Sequence, residues 1–354
     1  MNILEKIKQI LFKNKQKALP ESTISSENTR SSFLSNIRHV TTPRRKDTVK
    51  NKYLENCISQ FFEELKRIPS ENLSNFGSPL FYQALVRINA LNGNSYSNTE
   101  HEDKLIDEIN NSYNYELLWQ HAGKNNTPVF YHIRDRFYLS PDPNNMVRMY
   151  LNCKNENVAK LASCLLQYNT HPQFYLKACS SEYLAANKRS EKIVVYSTYS
   201  QLQYHMSLIN HAREEHPELF EGSEKTNPFM PSNNGIAFAK QPISRNFTLL
   251  DGSTIEIGQS SNSFIAQTIQ ESYIETLREL SYNDSELEFL LDPENINDDS
   301  LYAGTYDYVN SHHHAKLINS MEEKMKVLCD LNNIEINGIN YTRNLENSES
   351  EISK

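Results

Sequence analysis

The chain has 354 residues, enough for one large domain or two modest ones, with 38% hydrophobic residues and only 9 glycines. No G-x-x-x-x-G-K or G-x-G-x-x-G run occurs, which removes the common nucleotide-binding loops. Residues 1–50 hold 11 Lys or Arg against 4 Asp or Glu, a net +7, so residues 51–354 carry −15 of the total −8; a body that acidic argues against nucleic acid as a partner.

The first element in chain order is a short basic amphipathic helix over 2–18, with Ile3, Leu4, Ile7, Ile10 and Leu11 on one side. It reads either as a contact for an anionic membrane surface or as a solvated arm, and the shortness of the apolar face favours the arm. Lysines and a glutamate stand where a signal peptide needs an apolar core. Residues 19–50 are rich in Ser, Thr, Asn, Arg and Lys and read as a disordered linker; 1–50 together suit a secretion or targeting arm.

Helical period returns with Leu54, Ile58, Phe61, Phe62 and Leu65, breaks at Phe76-Gly-Ser-Pro79, and resumes from Leu80 to Leu91. Residues 93–102 read as polar loop, and 103–120 as a helix with Trp119 near its end. The span 51–125 is thus expected to be a helical region, with no site chemistry in 51–120.

Residues 126–280 are expected to form the α+β core, mainly an antiparallel sheet flanked by helices. Val129 to Arg134 alternates as a half-buried strand does, and Arg136 to Leu139 continues it. Ser140-Pro-Asp-Pro-Asn-Asn145 is a turn by composition. Val147, Met149 and Leu151 face one way on the next strand, Arg148, Tyr150 and Asn152 the other. Asn155 caps a helix carrying Val158, Leu161, Ala162 and Leu165. A third strand, Phe174 to Cys179, sets Tyr175, Lys177 and Cys179 opposite Phe174, Leu176 and Ala178. Lys188-Arg189 precedes a fourth, Ile193 to Tyr196. Further on come a helix over 199–220, a loop over 222–235, a short strand at Gly235–Ala239, a hairpin turning at Asp251-Gly252 and a helix over 262–280. In the region 281–342, residues 283–300 carry seven acids and read as a solvated loop, His312-His-His314 as a surface helix start rather than a metal site, and 315–330 as helix. The tail 343–354 is polar and acidic. The five cysteines, Cys57, Cys153, Cys164, Cys179 and Cys329, form no C-x-x-C pair and read as free thiols of a reducing compartment; Cys179, beside Lys177, is the alternative nucleophile.

Basic and phenolic side chains on one sheet face admit two readings. One is a solvent-facing sheet surface. The other is a cationic cleft for phosphate or carboxylate, in which neighbouring cations would lower the pKa of Lys177 and free its amine as a base.

The order and spacing of Val129-Phe-Tyr-His-Ile-Arg134, Val147-Arg-Met-Tyr-Leu-Asn152, Phe174-Tyr-Leu-Lys-Ala178, Lys188-Arg189 and Ile193-Val-Val-Tyr196 resemble a known family over about seventy residues. It is that of the phosphothreonine lyases of bacterial pathogens (OspF/SpvC), with the related HopA-type effectors and the lyase components of lanthipeptide synthetases. The resemblance implies a secreted bacterial effector that eliminates phosphate from phosphothreonine or phosphoserine of a host protein in the host cytosol, with neither metal nor cofactor. It further implies Lys177 as base and Tyr150 at the acid position. Arg148 and Arg189 would hold the phosphate, and His132, Arg134 and Tyr196 would line the site. Tyr150 stands where the lyases have histidine. No arginine occurs in Glu256–Ser261, where the distant relatives would place one, and Arg245 is the substitute. Such departures suit an inactive relative that only binds a host signalling protein. A peptide-modifying lyase of lanthionine biosynthesis is the third reading.

Overall fold

The computed structural model describes residues 51–68, 80–122, 126–291 and 298–339. The basic arm, the break at Phe76–Pro79 and the polar tail lie outside the described residues.

Helix α1 (Lys52–Lys66) begins where the Asn51 side chain accepts a hydrogen bond from the Leu54 N–H, and it buries Leu54, Ile58, Phe61, Phe62 and Leu65 on one face. Helices α2 (Leu80–Arg87) and α3 (Tyr96–Asn110) follow. The strands are β1 (Tyr115–Ala122), β2 (Thr127–Asp135), β3 (Met146–Leu151), β4 (Tyr175–Cys179), β5 (Ile193–Thr198), β6 (Ser232–Asn233), β7 (Ile236–Lys240), β8 (Asn246–Thr248) and β9 (Thr254–Glu256). Between them run α4 (Val158–Tyr168), α5 (Ser181–Ala186) and α6 (Leu202–Glu215); α7 (Ser261–Ser281), α8 (Ser285–Leu290) and α9 (Asp298–Asn332) close the order.

The fold is α+β. Seven strands form one antiparallel sheet in the order β1-β2-β4-β5-β3-β7-β6, and β8 and β9 form a separate hairpin. The chain leaves β2, lays down β3 three strands away, and later fills the gap with β4 and β5. Every residue of the central β5 is buried, as expected for a strand covered on both faces. One sheet face, with Ile133, Met149, Leu151, Leu176 and Val195, packs on α4 and α6 through Leu161, Leu165, Leu208 and Ile209. The other, with Tyr150, Val194 and Tyr196, shares a core with Phe61, Phe81, Phe264, Ile269 and Met321 of α1, α2, α7 and α9. Over β5 and β3 the polar face is therefore not open to water: helices roof it.

Four expectations are corrected. The helix expected over 103–120 starts earlier, at Tyr96, and ends at Asn110; Tyr115–Ala122 is the strand β1 instead. Leu117, Leu118 and Trp119 form a continuous apolar run that fits either period, and pairing with β2 decides it. Arg136 to Leu139 turns away rather than extending β2. The acidic loop contains α8, capped by Asp284, whose carboxylate accepts from the N–H groups of Glu286 and Leu287 while Leu287 is buried. His312–His314 lies inside α9 at a kink, where His313 has φ −131°, not at a helix start. There His313 pairs with Asp284 of α8, and His314 with Glu55 of α1 at 2.8 Å.

Candidate active site

Strand register decides which polar side chains meet. His132 pairs with Lys177, Lys177 with Val194, and Val194 with Tyr150, so these four form one rung across β2, β4, β5 and β3. The next rung is Arg134, Tyr175, Tyr196 and Arg148. Paired residues of antiparallel strands project to the same face. Six of the seven expected site residues thus share one face in two adjacent rungs, and the seventh, Arg189, enters from the segment before β5.

Above β4 lies a cavity of about 680 Å³, lined among others by Lys177, Arg189, Arg245, Tyr82, Phe130 and Gln270. Lys177 is half-buried, with Nζ 3.7 Å from the centroid of the Phe130 ring. It has neither a hydrogen bond nor an ion pair among the described residues. Burial, then Arg189 and Arg148, push its pKa down to about 7, so a large fraction of the amine is unprotonated near neutrality.

Arg189 is buried. Its Nε donates to the Glu191 backbone oxygen at 3.0 Å, and Nη2 donates to the Tyr82 hydroxyl at 3.0 Å and to Glu191 Oε2 at 3.4 Å. Its guanidinium lies 5.1 Å from the Phe130 ring centroid. Glu191 in turn accepts from Asn262 of α7, so a buried carboxylate answers the Arg189 charge and ties it to the roof. Burial raises the Glu191 carboxyl's pKa, and Arg189 opposes that shift. Arg245 reaches the cavity lip because the Ile257 N–H donates to its backbone oxygen at 2.7 Å, and its guanidinium lies 3.8 Å from Glu256.

The remaining expected residues stand on the same face but outside that cavity's lining. Arg148 lies 5.3 Å from the Tyr196 ring centroid and donates to Gln241 Oε1 at 3.1 Å and to the Gln259 backbone oxygen at 2.9 Å; it has no carboxylate partner among the described residues. Tyr196 stacks on Tyr175, with centroids 4.1 Å apart. Tyr150 Oη is buried with no hydrogen bond within 3.5 Å among the described residues, and burial holds its phenol above the ordinary value while Arg148 pulls it down. Arg134 is ion-paired with Glu116 of β1. His132 is neutral at pH 7, because burial and then Lys177 push its pKa down to about 4. Its Nδ1 accepts from the Tyr175 hydroxyl at 2.6 Å, and its Nε2–H donates to Gln120 Oε1 at 3.1 Å. Cys179 is buried, with its thiol pushed up to about 11, which removes the thiolate a nucleophile needs.

Sequence reasoning missed Tyr82, Gln120, Phe130, Tyr175 and Glu191. Residues 51–120, expected to lack site chemistry, supply two of these: Tyr82 bonds Arg189 and Gln120 bonds His132. Glu191 had a signal, an acid two residues after Arg189 in an otherwise basic run.

No protein-family model and no curated protein matches the chain. Among solved structures, it is similar to the effector protein from Pseudomonas syringae pv. syringae strain 61, with 13% identity and a TM-score of 0.42, covering 66% of this chain and 95% of that one. It is also similar to the effector protein from Pseudomonas syringae pv. tomato strain DC3000, with 14% identity and a TM-score of 0.42, covering 69% and 97%.

Proposed function

We propose that the cavity over β4 eliminates phosphate from phosphothreonine or phosphoserine in a host protein, and that the chain is a secreted effector. The observation that carries this reading is Lys177: an amine with no hydrogen bond or ion pair among the described residues, its pKa lowered to about 7, facing a cavity with two arginines. The lining has a single acid, Glu256, so its field favours a dianion.

In this reading Lys177 Nζ takes the Cα proton. The Cα–H electron pair becomes the Cα=Cβ bond, and the Cβ–O bond breaks toward phosphate. Arg189 and Arg245 offset the charge that gathers on the leaving group. Tyr150, two strands along the same rung and roughly 10 Å from Lys177 at Cα, is the proton donor. Its raised pKa keeps it protonated well into the alkaline range.

Mass spectrometry of phosphothreonine and phosphoserine peptides tests this. The expected product lacks phosphate and is one water lighter than the unphosphorylated peptide; a peptide returned at that unphosphorylated mass would mean hydrolysis and end the proposal. Because the neutral amine is the active form, kcat/KM is expected to rise with pH through about 7. A rate flat from pH 6 to 8 would show that Lys177 is not the base. Tyr150→Phe removes a buried hydroxyl that makes no hydrogen bond within 3.5 Å among the described residues, so its stability is expected to stay within about 0.5 kcal/mol of the parent by urea unfolding, or to rise. Turnover should fall about 10²- to 10⁴-fold.

A second reading has specific support. Arg148 is held by Gln241 and Gln259, and Arg189 is answered by Glu191, so fewer charges are free for a phosphate than the spacing promises. A module that binds a phosphorylated host protein without turnover would return the peptide intact yet retain it.

A further inference from the structure

Strand β1 is at the end of the sheet and pairs, among the described residues, only with β2. The backbone pattern shows which of its groups face outward. The Arg136 N–H donates to Asn114 O, while the Asp135 N–H donates to Phe174 O on the β4 side. Even-numbered residues of β2 therefore face β1, and their register partners Glu116, Leu118 and Gln120 face β2. Tyr115, Leu117 and Trp119 consequently direct their N–H and C=O groups to the open edge.

The two ends of that edge differ chemically. At the C-terminal end, Gln120 and Ala122 are part of the wall of the cavity that holds Lys177, Arg189 and Arg245. At the N-terminal end, Phe137 and Leu139 are 80% and 77% exposed in the turn after β2, which the Arg136–Asn114 bond holds against the start of β1. Leu118, 45% exposed, stands between. A row of backbone groups unpaired among the described residues thus runs from an apolar patch to a cationic cavity.

We propose that this edge receives an extended segment of the phosphorylated protein partner as an additional antiparallel strand. Main-chain hydrogen bonds to Leu117 and Trp119 hold the segment, and the phosphorylated side chain enters the cavity at the Gln120 end. The proposal rests on the cavity's being a phosphate site. The occupant follows from two features: cations that complement a phosphate, and a strand that is itself part of the cavity wall, so a neighbour paired to it must pass the mouth. Direction follows too. The β1 chain runs from patch to cavity, so an antiparallel partner runs from cavity to patch. Eight residues separate Asn114 from Ala122, about 26 Å at roughly 3.3 Å each. The partner should therefore carry an apolar anchor about six to eight residues C-terminal to its phosphorylated residue.

Trp119 is the only tryptophan of the chain, so its emission reports this edge. The experiment titrates the full chain with three alanine-based phosphothreonine peptides of about twelve residues. One has leucines C-terminal to the phosphothreonine at the stated spacing, one has them N-terminal, and the third is the first with its β1-facing amides N-methylated. The first is expected to shift Trp119 emission and to bind at least about tenfold more tightly than either of the others. Equal affinities for the three, no binding, or a peptide-resistant dimer in sedimentation (a second copy on the edge) would each overturn the docking proposal. The lyase reading is judged apart from this by the mass of the product from N-acetyl-phosphothreonine methylamide, which is too short to reach Leu117. Product there with no discrimination among the peptides sinks the docking alone. Discrimination without product keeps the docking and sinks the lyase.

Discussion

Replacing Lys177 with methionine is expected to end product formation and at the same time to stabilise the fold. Loss of a base that alone removes the Cα proton should lower kcat by at least about 10³-fold, and methionine keeps the stem's packing over Phe130. The stability gain comes from the same environment that makes the lysine a base. A half-buried ammonium beside Arg189 and Arg148, with no counter-ion of its own among the described residues, disfavours the folded state at low pH. The sign follows from proton binding. The native amine has a pKa of about 7, the unfolded one about 10.5. Between these values the unfolded chain holds more protons, so stability rises with pH across that window. Below pH 7 both states are protonated and the penalty is present in full. The gain of Lys177→Met, on the order of 1 kcal/mol, should therefore be largest below pH 7 and shrink toward pH 10. Urea unfolding of parent and variant at pH 6 and pH 9 measures it. A variant less stable than the parent at pH 6 would show that the amine is satisfied in a way the structure does not contain.

Glu191→Ala should be the most damaging single change near the site. It removes the carboxylate that answers the buried Arg189 charge, 3.4 Å from Nη2, and leaves Asn262 Nδ2 without its acceptor, while the Nε bond to the backbone oxygen of residue 191 and the Nη2 bond to Tyr82 remain. Removing one partner of a buried ion pair costs about 3–5 kcal/mol. The loss should be smaller in the double variant Glu191→Ala, Arg189→Met, because no unpaired charge then remains inside. Urea unfolding of the two variants checks this, and equal losses would show that Arg189 does not depend on Glu191 for its burial. The second variant also separates anchoring from phosphate binding, since it should remain folded while losing affinity for phosphopeptides.

Much of the site was legible from periodicity. Alternation in Val147–Leu151 and Phe174–Ala178 assigned Arg148, Tyr150, Tyr175 and Lys177 to faces opposite the apolar residues, because side chains on a strand have period two whatever the rest of the chain does. The apolar stripe of α1, the helix α7 and the Asp251-Gly252 hairpin followed from equally local chemistry. Neighbour relations were a matter for the tertiary structure. The order β2-β4-β5-β3 brings Lys177 and Tyr150 onto one rung, although β3 precedes β4 in the chain. No local pattern distinguishes that order from a simple meander. Arg134 was expected to line the site, and it pairs there with Glu116, on a strand whose continuous apolar run imitates a helix. The Glu191–Asn262 contact spans 71 residues, and Arg245 arrives through a bond from Ile257. Sequence by itself determined the central strands, the helices with clear periodicity and their apolar faces, because those depend on backbone geometry within a few residues. Only the tertiary structure decided which cations remain unpaired in the cavity, because charge compensation depends on carboxylates delivered by remote segments.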